Sequence, residues 1–401
     1  MQALYPVPHL TNVSQTSSNL HEARLRYARL TCLLFASVAQ ILLLVPYPPE
    51  TAPANRYRID PFIAYLSHKG YQIDYSSVVS HEAYKMWYHK GYLLTKAWTF
   101  LRAHGYRWRE TWLKAKQVDL VWVQREGLLG PTSYFERWWA KRKPLVYDFD
   151  DSIWLKDVSQ ANRLFAWLKR PAKTAEIIAV ASVVTVCNAY LEAYVRQFHD
   201  RVLRIPTVID TEKYPFLSPK ERDEVVIGWS GSYTTEKHLR TIEPVLLTLQ
   251  KKYGSRVRFR FIGVPHYWPE GLLGESLPWR AETEVADLAE IDIGLMPLPD
   301  NPWTRGKCGL KALQYMALGR PAVVSPISIN CEIVREGYNG YLADTPEAWI
   351  EKLSDLIENP EKRHQMGLNA RKTVEAHYSV LANRDKYLQA FEWALKIGPC
   401  G

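Results

Sequence analysis

Trp303 to Pro326, WTRGKCGLKALQYMALGRPAVVSP, is the stretch that decides how the rest of the chain is read. Its polar start, Thr304 to Gly309, reads as a loop. Leu310 to Leu318 follows as a helix with Leu310, Leu313, Tyr315, Met316 and Ala317 on an apolar side. Gly319 suits the left-handed position that closes a helix, and Pro321 prevents its continuation. The short run Ala322 to Val324 then reads as a buried parallel strand. Loop, helix and strand in that order belong to an α/β fold. Helix N-termini attract anions, and Lys307 and Lys311 add formal positive charge there, so the unit is expected to handle phosphate.

The second half of this stretch, Leu313 to Val324, is similar to the donor-site motif of the family 4 (group 1) retaining glycosyltransferases of GT-B fold. Their pattern is Glu-x7-Glu followed by Ala-Met-Ala-x-Gly-x-Pro-Val-Val. Here Gln314 stands at the second glutamate and Gly306 at the first. Tyr147-Asp148-Phe149-Asp150-Asp151, followed by Ile153 and Trp154, resembles a recurring segment of one branch of the family. So does the loop Gly231 to Lys237, where relatives carry Gly-Arg-x4-Lys: the lysine falls on Lys237 and the arginine on Ser232. The resemblance spans roughly residues 40–395. It implies two Rossmann-like domains facing across a cleft, with a nucleotide-sugar donor held by the second. It also implies metal-independent hexosyl transfer with retention, in which the leaving phosphate helps take the acceptor proton and no strong protein nucleophile is needed.

At 401 residues, two domains with separate cores are the natural expectation. The expected organisation is a leader at 1–38, an acceptor domain at 39–205, a donor domain at 206–379, and a helix at 380–401 crossing back to the first domain. In the leader, Arg24, Arg26 and Arg29 precede the apolar run Leu30 to Val45, the outline of a signal peptide. That reading is set aside. Ile41 to Val45 is needed as the first strand, the run is short for a membrane span, and no small-residue cleavage site follows in a sensible place. Ile41–Val45, a helix from about Asn55 to Lys69 and a strand from Tyr71 to Val78 begin a doubly wound sheet.

The chain has 51 Lys and Arg against 42 Asp and Glu, unevenly placed. Residues 1–205 hold 27 basic and 16 acidic side chains; the remainder is slightly acidic. Much of the excess lies in Glu82 to Gln117. There Trp87, Tyr88, Tyr92, Trp98, Phe100, Tyr106, Trp108 and Trp112 interleave with Lys85, Lys90, Lys96, Arg102, Arg107, Arg109, Lys114 and Lys116. A basic, aromatic helical pair suits contact with an anionic membrane surface near a lipid-linked acceptor, on the inner face of the membrane. The alternative is a pair of helices packed on the sheet with charges outward. Single-stranded nucleic acid is not expected, since no such module follows.

Candidate site residues follow from the chemistry. A leaving nucleoside diphosphate needs cations and helix dipoles, for which Lys237, Lys307 and Lys311 are the candidates. Asp150 and Asp151, at the carboxyl end of a strand, are placed to orient an acceptor hydroxyl. Gln314 can bond ribose hydroxyls and Trp279 can stack on the base. Gly231, Ser232, Ser328 and Asn330 are expected to offer backbone or capping groups to the donor. Arg56 and Arg58 open a helix on the acceptor side. No metal or cofactor is expected. Five cysteines, Cys32, Cys187, Cys308, Cys331 and Cys400, lie scattered without metal or disulfide spacing. A reducing cytosol is expected, with Cys308 packing in its loop. Beside transfer into a glycan or polysaccharide stand two other functions: a GT-B nucleotide-sugar epimerase, and a catalytically silent nucleotide-sugar-binding subunit.

Overall fold

Two parallel six-stranded sheets with interleaved helices make up the computed structural model, which describes residues 39–87, 93–128, 130–155, 170–218 and 222–400. The expected leader, residues 1–38, and Tyr88, Lys90 and Tyr92 lie outside the described residues. The first sheet runs β2-β1-β3-β4-β5-β6, from β1 (Ala39–Val45), β2 (Tyr71–Ser77), β3 (Leu120–Gln124), β4 (Leu145–Phe149), β5 (Val183–Val186) and β6 (Val202–Arg204). The second runs β12-β11-β10-β7-β8-β9, from β7 (Val225–Ser230), β8 (Val257–Ile262), β9 (Gly274–Leu277), β10 (Ile293–Met296), β11 (Ala322–Val324) and β12 (Gly340–Leu342). Both are doubly wound orders, which place ligand crevices at the carboxyl ends of strands where the order reverses, between β1 and β3 and between β7 and β10.

The central strands β3, β4, β5, β7 and β10 are buried along their whole length, as apolar runs covered by helices on both faces. Gly319 takes φ +76° and closes the helix Leu310–Ala317. Where one helix was expected from Asn55 to Lys69, there are two, Pro53–Arg58 and Asp60–His68. The cause is Pro61, which has no N–H to give the carbonyl of Tyr57. That carbonyl instead accepts from the amide of Val208, 3.1 Å away, so the break ties the interdomain linker to the first domain.

The last helix, Val380–Ile397, lies on the first sheet, packing Tyr387, Ala390, Phe391 and Ala394 against Leu43, Trp122 and Val146. Beneath it is a buried polar node. Asp148 of β4 accepts from Arg58 Nε at 3.0 Å, Thr185 Oγ1 at 2.6 Å and Tyr387 OH at 3.0 Å. Arg58 also reaches the carbonyl of Ile205, where the linker begins. Burial disfavours the guanidinium charge, and Asp148 more than compensates, raising the pKa of Arg58. Asp148→Asn leaves that guanidinium buried without its counter-charge. It should destabilise the protein by about 3–5 kcal/mol, read as a lower urea midpoint.

Candidate functional site

The carboxyl ends of the two sheets meet across an interlobe boundary held by two groups of contacts. In the first, the loops following β3, β4 and β5 meet the segment before the Leu310–Ala317 helix. Arg125, with φ +57°, bridges Asp150 Oδ1 at 2.5 Å and Asp151 Oδ2 at 2.8 Å. Burial works against the ionised form of Asp150, but Arg125, with Arg58 and Lys307, holds its pKa below the usual carboxylate range. Lys307 Nζ crosses the boundary to Asp151 Oδ1 at 2.8 Å. Asn188 Oδ1 caps the helix Ala189–Val195, while its Nδ2 donates to the carbonyl of Lys307 at 2.9 Å. Ser152 Oγ donates to the carbonyl of Pro302 at 3.0 Å.

The expected polar loop at Thr304–Gly309 therefore begins inside a short helix, Pro302–Arg305, closed by a capping box on Asn301. Gly306 packs so closely on the first domain that a Cβ there would lie 2.1 Å from Ser152 Oγ. With the lobes in this arrangement no larger side chain fits.

The cysteine reading is corrected here: Cys187, just beyond β5, and Cys308 form a disulfide across the boundary, with Cα atoms 5.8 Å apart. Their 121-residue separation hid the pair from spacing arguments. It links the carboxyl end of the first sheet covalently to the segment that opens the Leu310 helix.

The second group is a buried polar cluster around Glu284. Its Oε2 accepts from Tyr57 OH at 2.9 Å, from Tyr214 OH at 3.2 Å and from Arg56; its Oε1 accepts from Trp279 Nε1 at 2.9 Å. Gln314 Nε2 lies 2.8 Å from Tyr214 OH, 3.0 Å from Tyr57 OH and 3.2 Å from Glu284 Oε1. Burial would raise the Glu284 pKa, yet the Arg56 ion pair and the surrounding donors hold it below the usual glutamate value. A carboxylate at position 314 would face Glu284 directly, which an amide avoids.

Lys311 stands in the first turn of its helix, partly buried, its amine 4.1 Å from the Trp229 ring centre. Desolvation, with the charge of Lys307 nearby, pushes its pKa down to about 7. Tyr315 on the same helix receives the amide of Ser230 at 2.8 Å, which pins the helix to the end of β7. Gly231 and Gly263 are required by close approach: a Cβ on Gly263 would lie 1.9 Å from the Gly231 carbonyl oxygen.

The candidates thus fall into separate places. Lys307, Asp150 and Asp151 share the first group, with Lys311 close to Lys307. Arg56, Trp279 and Gln314 share the second. Ser232 folds its own turn, its amide donating to Thr235 Oγ1 at 2.9 Å, and Lys237 stands exposed on the helix Glu236–Arg240. Ser328 adopts φ +49°, a conformation glycine takes freely.

Two expectations need correcting. Arg58 offers no surface to an acceptor, because it is buried against Asp148. Asn330 does not cap its helix: its Nδ2 donates to the Ser325 carbonyl at 2.9 Å, and its own amide donates to Ile327. Sequence reading missed Glu284, Tyr57, Tyr214, Arg125 and Asn188. Only Asn188 carries a signal, since an asparagine directly after a β-branched run and before a helix is a favoured N-cap.

The sequence model of the glycosyl transferases group 1 family matches residues 301–373. Spore coat protein SA of Bacillus subtilis (strain 168) is 30% identical over 82 residues, a match covering 20% of this chain and 22% of that protein. Sucrose-phosphate synthase from Thermosynechococcus elongatus superposes with a TM-score of 0.64 at 13% identity, over 88% of this chain and 98% of that one. Anabaena HepE, solved with UDP and glucose, gives 0.61 at 15% identity over 88% and 99%.

Reduction should release the covalent link between the lobes. Peptide mapping under non-reducing conditions should recover Cys187 and Cys308 as one linked pair that dithiothreitol separates. Acid should loosen the Glu284 cluster. A carboxyl with a depressed folded pKa stabilises above its unfolded value, about 4.3, and loses that contribution as pH falls through the folded value. Glu284→Gln should therefore lower Tm at neutral pH and flatten the fall in Tm below about pH 4.3. Residues 301–373 match the group 1 glycosyl transferase model, and the two parallel sheets around them are arranged as in GT-B structures.

Proposed function

We propose that the chain is a glycosyltransferase of the group 1, family 4 type. It would move a hexosyl group from a nucleotide sugar to a carbohydrate or lipid-linked hydroxyl, with retention and without a metal, in glycan or polysaccharide synthesis. The observation that carries this reading is the family match at 301–373 coinciding with a paired lysine site. Lys307 and Lys311 flank the start of the Leu310–Ala317 helix, adding two amines to its dipole, and Lys307 reaches Asp151, in the loop after β4 of the other lobe.

On this reading Lys311 and Lys307 offset the charge that develops on the departing diphosphate. Lys237, exposed on the neighbouring helix, and the backbone around Gly231, Ser232 and Ser328 would complete the donor site. Trp279 and Gln314, in the cluster that Glu284 organises, would take the base and the ribose. Asp150 and Asp151, paired with Arg125 and Lys307, would orient the acceptor hydroxyl. HepE was solved with UDP and glucose, so uridine diphosphate sugars are the first donors to test. Absence of binding to any nucleotide sugar, or binding without sugar transfer to any glycan or lipid-linked acceptor, would overturn the assignment.

The lowered pKa of Lys311 gives a sharper readout. At pH 8 the free amine is mostly neutral, and a bound diphosphate favours the charged form. Binding of a nucleoside diphosphate at pH 8 should take up close to one proton, seen calorimetrically as a dependence of binding heat on buffer. Lys311→Ala should abolish that uptake and weaken binding by about 1.5–3 kcal/mol. Lys237→Ala should weaken binding by a similar amount, about 1.5–3 kcal/mol, with the uptake intact.

A further inference from the structure

The 22-residue helix Leu93–Lys114 is amphipathic in the wrong sense for a helix that only covers a sheet. Its inward face is polar. Arg107, 1% exposed, donates to the carbonyls of Val45, Ser76 and Gly127, to Ser76 Oγ at 2.6 Å, and to Glu110 at 2.6 Å. Thr111 and Glu110 are buried beside it. The outward face is apolar: Trp98 and Leu101 are each 63% exposed, Leu113 is 61% and Trp112 is 71%. At about 100° per residue these four fall within one sector of the helix, and Arg102 and Arg109, both exposed, fall in the same sector.

The patch continues onto the helix Tyr134–Ala140. Trp108 lies 5.4 Å from Tyr134, ring to ring, and beyond Tyr134 a depression of about 620 Å³ is lined by Arg137, Trp138, Lys141 and Arg142. Among the described residues of these elements, acidic side chains do not offset the cations. The one acid of the long helix, Glu110, points inward, and Glu176 at the depression is engaged by Arg170 and Ser133. No helix among the described residues is long and apolar enough to cross a membrane.

We infer that the outward face of Leu93–Lys114, with the adjoining Tyr134–Ala140 helix, docks in the plane of an anionic lipid bilayer. The indole and leucine side chains would enter the interface, and Arg102, Arg109, Arg137, Lys141 and Arg142 would meet lipid phosphates. Lipid is favoured over a protein partner by the pairing of features. Indoles interleaved with arginines along one exposed helix face match an interface that is apolar below and anionic above. This surface is on the first lobe, clear of the interlobe contacts, so it stands whether or not the transfer reaction is confirmed.

Vesicle flotation with full-length protein tests it. Phosphatidylglycerol-containing vesicles should float the protein, pure phosphatidylcholine vesicles should not, and raising salt from about 0.1 to about 0.5 M should release it. Arg102→Glu with Arg109→Glu should weaken the partition by at least roughly tenfold. Trp98→Ser with Trp112→Ser should do the same while leaving Tm unchanged, since both side chains are exposed. For wild type, lipids brominated in the acyl chain should quench tryptophan fluorescence, and the tryptophan double variant should lose most of that quenching. Failure to float with phosphatidylglycerol vesicles would overturn the proposal, as would flotation undiminished in both variants. Self-association that the same variants abolish, without vesicle binding, would assign the face to a second copy instead and overturn it as well.

Discussion

Asp148 holds the architecture together from inside. It sits on the central strand β4 and receives hydrogen bonds from Arg58 at the end of the first helix, Thr185 on β5 and Tyr387 on the last helix. Arg58 carries the connection on to Ile205, where the chain leaves the first domain. A buried carboxylate is costly unless its charge and lone pairs are met. Here they are met only when the first helix, β4, β5 and the C-terminal helix are all in place. The last residues of the chain are thereby made part of the first domain, and the two lobes are joined by two crossings of the chain.

The interlobe boundary accounts for the departures from the glycosyltransferase motif better than loss of function does. At position 306 the second lobe touches Ser152 so closely that only glycine fits. At position 314 an amide donates into a cluster that already holds Glu284, where a second carboxylate would be repelled. Gly306 meets Ser152 of the first lobe, and Gln314 meets Tyr57 of the first lobe and Tyr214 of the linker as well as Glu284 of its own lobe. They read as paired adaptations of one boundary.

What could be read from sequence followed local rules. The apolar runs of β1 and β11, the glycine closing the Leu310 helix and the proline after it are short-range signals, and they placed a strand in each sheet. The segments that went astray were governed by distant partners. Pro61 breaks the first helix, but the carbonyl it frees is claimed by Val208. Cys187 and Cys308 mean nothing in sequence and meet only when two lobes close. Arg58 looked like a helix-opening charge at a cleft; the carboxylate that buries it lies 90 residues on. Glu284, the centre of the second contact group, belongs to no motif at all. For the same reason Arg107, counted with the surface cations, turned out to face inward.

The closed boundary also bears on how a donor would be admitted. Lys307 is paired with Asp151, and Arg56 with Glu284, so the charges nearest the proposed phosphate site neutralise one another across the lobes. Lys311 is the exception, with an aromatic ring beneath it, a like charge beside it and a pKa lowered to about 7. A diphosphate arriving there would compete with Asp151 for Lys307 and favour the proton on Lys311. The first change weakens an ion pair that crosses the boundary, while the diphosphate supplies a new anion there. On the proposed reading, donor binding would exchange the ion-pair partners of this boundary. The disulfide at Cys187 and Cys308 ties the two lobes covalently beside that exchange.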